Sequence, residues 1–229
     1  MGQMFKLLLL LVSLFNGTVV FADSILKLNK KGLSALYKSN YDHAIYYFEQ
    51  VLQKSPRHPF ANYNLACSYA LKVDKDNCAI LDYEEKIFTH LKTAIEENKS
   101  YRSKILKDSD LLSLKGKYQF YHLAGLPPRK ILPKITWYGP SKGIFGPIDQ
   151  FEFRSNGRFL YRMMEFDENG NINQKELPGR YYWKKENLHL IFNKPLHKKR
   201  KYSGKVKENL LEIEGFDHQF TDNNDPCSA

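Results

Sequence analysis

The periodicity of the apolar residues changes once along this chain, at Leu126-Pro127-Pro128, and the change splits it into two folding problems. Before that point apolar residues recur at helical spacing in a background of Leu, Ala, Glu and Lys. After it, short runs alternate apolar with polar and are rich in Gly, Asn, Tyr, Phe and Trp. One regular element cannot bury both patterns, because a helix repeats about every 3.6 residues and a strand about every two. Leu126 to Lys134, LPPRKILPK, carries prolines that bar a continuous helix and favour extended backbone. The pattern predicts a helical domain over 24–125, a Pro-rich linker over 126–134, an antiparallel β domain over 135–221 and a tail over 222–229. The fold class is α+β with two domains.

The helical half is most explicit in Gly32 to Pro56, GLSALYKSNYDHAIYYFEQVLQKSP. Leu33, Leu36 and Tyr37 share one face, and Ser39-Asn40 breaks the run. A second amphipathic run follows, with Ala44, Ile45, Phe48, Val51 and Leu52 on one stripe. Gly32 and Ala44 let the two helices approach closely, Tyr41 fills the wedge at the turn, and Pro56 ends the second helix. From Pro59, FANYNLACSYALK gives another helix, with Leu65, Ala66 and Tyr69 as packing residues. Val73 to Ile87 is too long for a tight turn, so the next helix is placed at Ile87 to Glu97, packing through Leu91 and Ala94. A third helical piece spans about Tyr101 to Leu123, with Asp108 or Ser109 as the cap of a short helix carrying Leu111, Leu112 and Leu114.

These residues resemble tetratricopeptide repeats. Gly32 to Pro56 matches one repeat, and Pro59 onwards holds the period of about 34 residues through its first helix. The piece from Tyr101 resembles the segment that closes such arrays. The resemblance implies antiparallel helix pairs and a groove that holds another polypeptide, lined by the first helix of each repeat. Carried over by register, that groove presents Asn29, Leu33 and Leu36, then Tyr63, Cys67 and Ala70.

The second half reads as a β-meander. Phe151 to Arg154 alternates, Ser155-Asn156-Gly157 turns, and Arg158 to Phe166 returns with Phe159, Tyr161 and Met163 on one face. Asn169-Gly170 marks the next reversal. Arg180 to Lys184, Leu188 to Phe192, Lys201 to Val206, Asn209 to Glu214 and Gly215 to Phe220 supply further strands, and Trp137 sits on an opening one. Short turns between sequential strands point to a barrel or a sandwich. The pattern around Trp183 to Phe192 is similar to small lipocalin-like domains of exported bacterial proteins, which implies a fold able to hold a small ligand.

Met1 to Ala22 has a lone Lys6, an apolar core from Leu7 to Phe15 and Val20-Phe21-Ala22 before Asp23, the pattern of a secretory signal peptide over 1–22. An uncleaved anchor is the other reading. No cysteine follows the apolar core, so a lipoprotein anchor is not expected. Export to the periplasm or beyond is. Of three cysteines, Cys67, Cys78 and Cys227, at least one must be unpaired within the chain. A local Cys67–Cys78 disulfide and a buried Cys67 thiol are both open.

The formal net charge is +10. The densest basic cluster is HKKRK, in which Lys198, Lys199, Arg200 and Lys201 are either a solvated hairpin loop or a contact for an anionic envelope surface. The aromatic residues are not gathered beside it, so nucleic acid is not an expected partner. Asp167 to Glu176, DENGNINQKE, looks like a calcium loop but places Ile172 where glycine is required, and is read as a hairpin turn. No nucleophile motif, phosphate loop or metal-ligand spacing appears, so no catalytic residue, metal or cofactor is expected. The expected function is an exported interaction module of the bacterial envelope that holds an unidentified protein or peptide. The alternative is a small-ligand or lipid carrier that uses the β domain.

Overall fold

The computed structural model describes residues 24–141 and 148–223. The signal-peptide reading of residues 1–22, Cys227 and the rest of the 224–229 tail lie outside them. The chain forms two compact units, Met1–Tyr101 and Arg102–Ala229.

The first unit is helical. Helix α1 runs over 24–37, and α2 is Tyr41–Lys54, α3 Pro59–Lys75 and α4 Ile80–Glu97. The break at Ser39-Asn40 is real: Ser39 takes a positive φ, and the Asn40 side chain caps α2 by accepting from the His43 amide. Gly32 is where α1 meets α2, for a Cβ there would lie 2.6 Å from the Phe48 ring. The stripe of α2 buries Ala44, Phe48 and Val51. Helix α4 starts at Ile80, earlier than the sequence predicted, after a 3-10 turn at Asn77–Ala79. The polar letters of Asp82 to Glu85 that suggested a long loop are the outer face of its first turns.

Helix α3 differs from its neighbours. Eleven of its residues are buried, from Ala61 round to Val73, so it has no wet face of any width. Its polar side chains are satisfied internally. Asn62 donates to the Pro56 and His58 carbonyls at 3.0 and 3.1 Å, and its Oδ1 lies 2.8 Å from His90 Nδ1 on α4. Asn64 and Ser68 bond the carbonyls one turn back, and the Tyr69 hydroxyl donates to Glu49 on α2 at 2.9 Å.

The second unit begins with short pieces: α5 Tyr101–Lys104, which straddles the division, 3-10 turns at Ile105–Lys107 and Ser109–Leu114, α6 Tyr118–Leu123 and α7 Pro128–Ile131. Asp108 caps as expected, accepting from the Asp110 amide. Eight strands follow: β1 Thr136–Ser141, β2 Ile148–Phe153, β3 Arg158–Phe166, β4 Ile172–Lys184, β5 Asn187–Leu196, β6 Lys199–Lys207, β7 Leu210–Ile213 and β8 Phe220–Thr221. Each pairs antiparallel with the next, and Tyr138 opposite Thr221 closes the ring into a barrel. Closure leaves no long open edge.

The barrel interior is a layered aromatic core. Trp137, Phe151, Phe192 and Phe220 are fully buried. Phe151 stacks on Tyr161 at 4.4 Å and meets Phe220 edge-on at 4.9 Å. Such rings bury about 1.5–3 kcal/mol each and add offset and edge-to-face attraction. Phe159 faces Gly179 across β3–β4, and a Cβ at Gly179 would come within 2.3 Å of its ring. The glycine makes room for the phenylalanine.

Three expectations about domain limits change. Tyr118, Ile131, Leu132 and Ile135 belong to the barrel's own hydrophobic cluster. The stretch read as a linker over 126–134 is therefore helix α7 and a 3-10 turn that plug one barrel end, with Leu132 O accepting from the Trp137 indole. The end of the helical domain moves from residue 125 back to Tyr101. Asp222, read as part of the tail, is buried and accepts from the Tyr118 amide at the start of α6, and Asn223 accepts from Lys117 at 2.9 Å.

Candidate functional site

The helical face named from sequence does not present an open groove. Asn29, Leu36, Tyr63, Cys67 and Ala70 are buried, and only Leu33 is half-exposed. Tyr63 is 1 % exposed, and the Tyr101 ring stacks on it at 4.3 Å. In an array the concave side of the first helices stays wet. Here α3 is enclosed, and these residues pack.

The basic cluster divides into two roles. His197 and Lys198 form a two-residue turn, both with positive φ, between β5 and β6. Lys198, Lys199 and Lys201 are exposed. Arg200 is engaged with the backbone: its guanidinium donates to the Phe192 and Asn193 carbonyls at 3.2 and 2.9 Å. Those carbonyls sit where the β5–β6 register slips, so ladder partners are missing there. Arg200 is a structural residue of the bulge.

The cysteines separate cleanly. Cys67 is a buried thiol, Cys78 is disulfide-bonded, and a Cys67–Cys78 bridge is excluded. The calcium-like loop is a hairpin turn, as expected. The Asp167 carboxylate accepts from the Asn169 and Asn171 amides at 2.9 and 2.8 Å and from the Asn171 side chain at 3.1 Å. Those bonds, led by the Asn171 side chain, hold its pKa below the ordinary carboxylate value.

The barrel's two ends hold the strongest candidates. At the end opposite the plug, a half-open cavity of ≈ 560 Å³ is lined by Asp149, Tyr161, Met163, Phe216 and His218 among others. Asp149 is buried and accepts from the Tyr161 hydroxyl and the Met164 amide, both at 2.8 Å. Burial first, and then the Asp149 charge, push the Tyr161 pKa far up, so this phenol is a fixed donor. His218 Nδ1 lies 2.7 Å from Asp217, and that bond lowers the Asp217 pKa. The arrangement orders the rim.

At the plugged end a cleft of ≈ 810 Å³ lies between Pro127-Pro128 and the ends of β4, β5 and β6. Trp183 and Val206 form its apolar floor with the two prolines, and Arg129, Lys185, Lys205 and Lys207 stand around it against a single acid, Glu186. The Trp183 indole N–H is buried and has no hydrogen-bond partner among the described residues. A buried donor without an acceptor is costly, and Trp183 is one of the residues that line this cleft. Sequence reading placed Trp183 on a strand and Pro127-Pro128 in a linker, and nothing in the linear pattern brings them together.

Comparison with known protein families, curated proteins and solved structures finds no match to this chain. The tetratricopeptide and lipocalin-like resemblances therefore rest on the residues quoted for them.

Proposed function

We propose that the chain is an exported, non-catalytic binding protein whose barrel takes a small amphipathic anion in the cleft at its plugged end. The observation that carries this reading is the Trp183 indole N–H, buried and unpartnered in a cleft with an apolar floor and a basic rim. An indole donates only, so it selects an acceptor such as a carboxylate oxygen. Pro127, Pro128 and Val206 suit the apolar body of the same molecule, and the four cations favour its charge. The barrel interior is filled by its own rings, which favours this end cleft over a ligand enclosed at the centre. Export is supported by the leader pattern of residues 1–22 and by a disulfide at Cys78, which suits an oxidising compartment.

The test is titration of the mature protein with decanoate by calorimetry, with decanol as the uncharged control. Micromolar to sub-millimolar binding of the acid alone, weakened in Trp183→Phe and in Lys205→Gln with Lys207→Gln, supports the reading. Equal binding to wild type and Trp183→Phe sinks it.

The helical unit supports a second reading, a scaffold for protein contacts made by its outer surface in place of a groove. It leaves Tyr37 83 % and Tyr46 54 % exposed, and Leu81 is also exposed. Single exposed rings are ordinary, but tyrosines are favoured interface anchors. Affinity capture with the full mature chain, repeated with Tyr37→Ala and Tyr46→Ala, separates a specific partner from background.

A further inference from the structure

The outer wall of the barrel carries three arginines that no carboxylate of the described residues neutralises. Arg154 begins the β2–β3 turn, Arg158 opens β3, and Arg180 lies directly opposite Arg158 in the β3–β4 ladder. All three side chains are exposed, and together they line a concavity of ≈ 480 Å³ floored by Leu160, Pro178 and Gly179, with Asn193 at its side. Among the described residues, none of the three forms an ion pair.

The same strand supplies the contrast. Arg162 projects from the same face of β3 two pairs further along. Its guanidinium is clasped by Glu152 on β2 and by Glu176 on β4, the latter at 3.1 Å. Where the barrel uses an arginine to tie strands together, it sets a carboxylate on each side. At Arg158 the β4 position is Arg180. Like charges directly opposite in a ladder repel and weaken the pairing. The row continues through Ile191 to Lys201, with no acid in it.

The backbone of the turn holds this cluster in place. The Arg154 carbonyl accepts from the Tyr181 hydroxyl at 2.8 Å, and the Gly157 carbonyl accepts from the Tyr181 amide at 2.8 Å. The Arg154 amide donates to the Arg158 carbonyl at 2.8 Å. The stems of Arg154 and Arg158 therefore leave a fixed hairpin, and only the guanidiniums adjust.

We propose that Arg154, Arg158 and Arg180 form a binding site for a phosphate monoester. Guanidinium forks bind the oxygens of a tetrahedral dianion in pairs, which a lysine cannot do. A dianion on the concavity relieves the Arg158–Arg180 repulsion and takes hydrogen bonds from more than one fork. Asn193 offers a neutral amide donor at its edge. Leu160 and Pro178 beside the charges accept an apolar neighbour of the phosphate. The group can arrive on a soluble metabolite or on a phospholipid headgroup. The site lies among different residues from the Trp183 cleft and stands without it.

The experiment uses the full mature chain. Thermal melts are run in phosphate and in chloride at equal ionic strength, for wild type, for Arg158→Gln with Arg180→Gln, and for Lys198→Gln with Lys199→Gln. Wild type and the lysine variant should melt higher in phosphate. The arginine variant should lose that gain and melt no lower than wild type in chloride, because removing facing charges relieves strain in the pair. Glucose 6-phosphate, followed by phosphorus NMR titration, should bind the arginine variant at least about tenfold more weakly than wild type. Vesicles of phosphatidic acid and of phosphatidylglycerol at matched surface charge identify the source. Preference for the phosphomonoester lipid assigns a headgroup, and binding of the soluble ester alone assigns a metabolite. The proposal is overturned by a phosphate gain that is absent in wild type, that survives in the arginine variant, or that disappears equally in the lysine variant. It is also overturned if the arginine variant melts below wild type in chloride, which would make the arginines structural.

Discussion

The helical unit and the barrel solve the same problem, burying a centre, with opposite chemistry. The helical unit runs one helix through its middle and keeps polar groups on it. Asn62, Asn64 and Ser68 of α3 are buried, and Asn62 reaches across to His90. The barrel's interior is a stack of Phe, Tyr, Trp and Leu, with Tyr161 bonded to Asp149 and Tyr202 to the Leu196 carbonyl near the ends. A buried polar network is strong only while every member is satisfied. An aromatic core has no such condition, but it depends on volume. The two units should therefore fail for different reasons, and they can be watched separately. Both tryptophans, Trp137 and Trp183, lie in the barrel, so indole fluorescence follows it while helical circular dichroism follows the first unit.

The largest expected effect is in the barrel. Phe151→Ala removes a fully buried ring in contact with Phe153, Phe159, Tyr161 and Phe220. It should cost about 3–5 kcal/mol. In urea the fluorescence transition should move to lower denaturant while the helical signal keeps its midpoint. Joint movement of both signals would make the two units one cooperative body and break the comparison.

The next effect belongs to the helical unit. Gly32→Ala puts a methyl 2.6 Å from Phe48. Overpacking of this kind should cost about 1–3 kcal/mol, read in the dichroism transition with the fluorescence unmoved. A neutral or stabilising Gly32→Ala would show that α1 and α2 have slack between them.

Acid should sharpen the difference. Burial lowers the pKa of His58 and of His90 below the ordinary 6.5, and both are in the helical unit. The unfolded chain then binds these protons first. The stability these groups supply is complete above 6.5 and is lost as pH falls from there through their lowered folded values. The helical signal should thus weaken on mild acidification before the barrel signal, and His90→Gln should reduce that pH dependence. A barrel that melts first at pH 5–6 would contradict the assignment.

The smallest effects are on the basic turn. Replacing Lys198, Lys199 and Lys201 with Ser should change stability by no more than about 0.5 kcal/mol. Arg200→Ser strands two carbonyls at the β5–β6 slip and should cost about 1 kcal/mol. Equal costs would mean that the Arg200 bonds are not maintained in solution.

Much of this fold was legible because its signals are local. β3 was read at Arg158 to Phe166 and is found there, since Phe159 and Tyr161 alternate cleanly between turn residues. Strand β4 was read only from Arg180, because Asn173 to Glu176 is polar on both faces and carries no alternation; the strand exists there through its ladder to β3. The start of α4 was missed for a related reason: Asp82 and Glu85 are exposed helical residues. The burial of the groove residues was not legible because a helical stripe is the same whether it faces solvent or another helix. The cleft and the arginine cluster left no linear trace, since Trp183 and Pro127, or Arg158 and Arg180, meet only through strand register and end packing.

The sequence by itself determined the two-part α+β division, most helices and strands and the turn residues. Each of these follows from backbone preference and from periodicity within a few residues. Only the tertiary structure decided that the β half closes into a barrel, and that Leu126 to Lys134 plugs it instead of linking two domains. It also turned α3 inward and set arginine opposite arginine on the barrel wall. Closure, plugging and burial are sums over residues far apart in the chain, and their free energy belongs to contacts that no local pattern encodes.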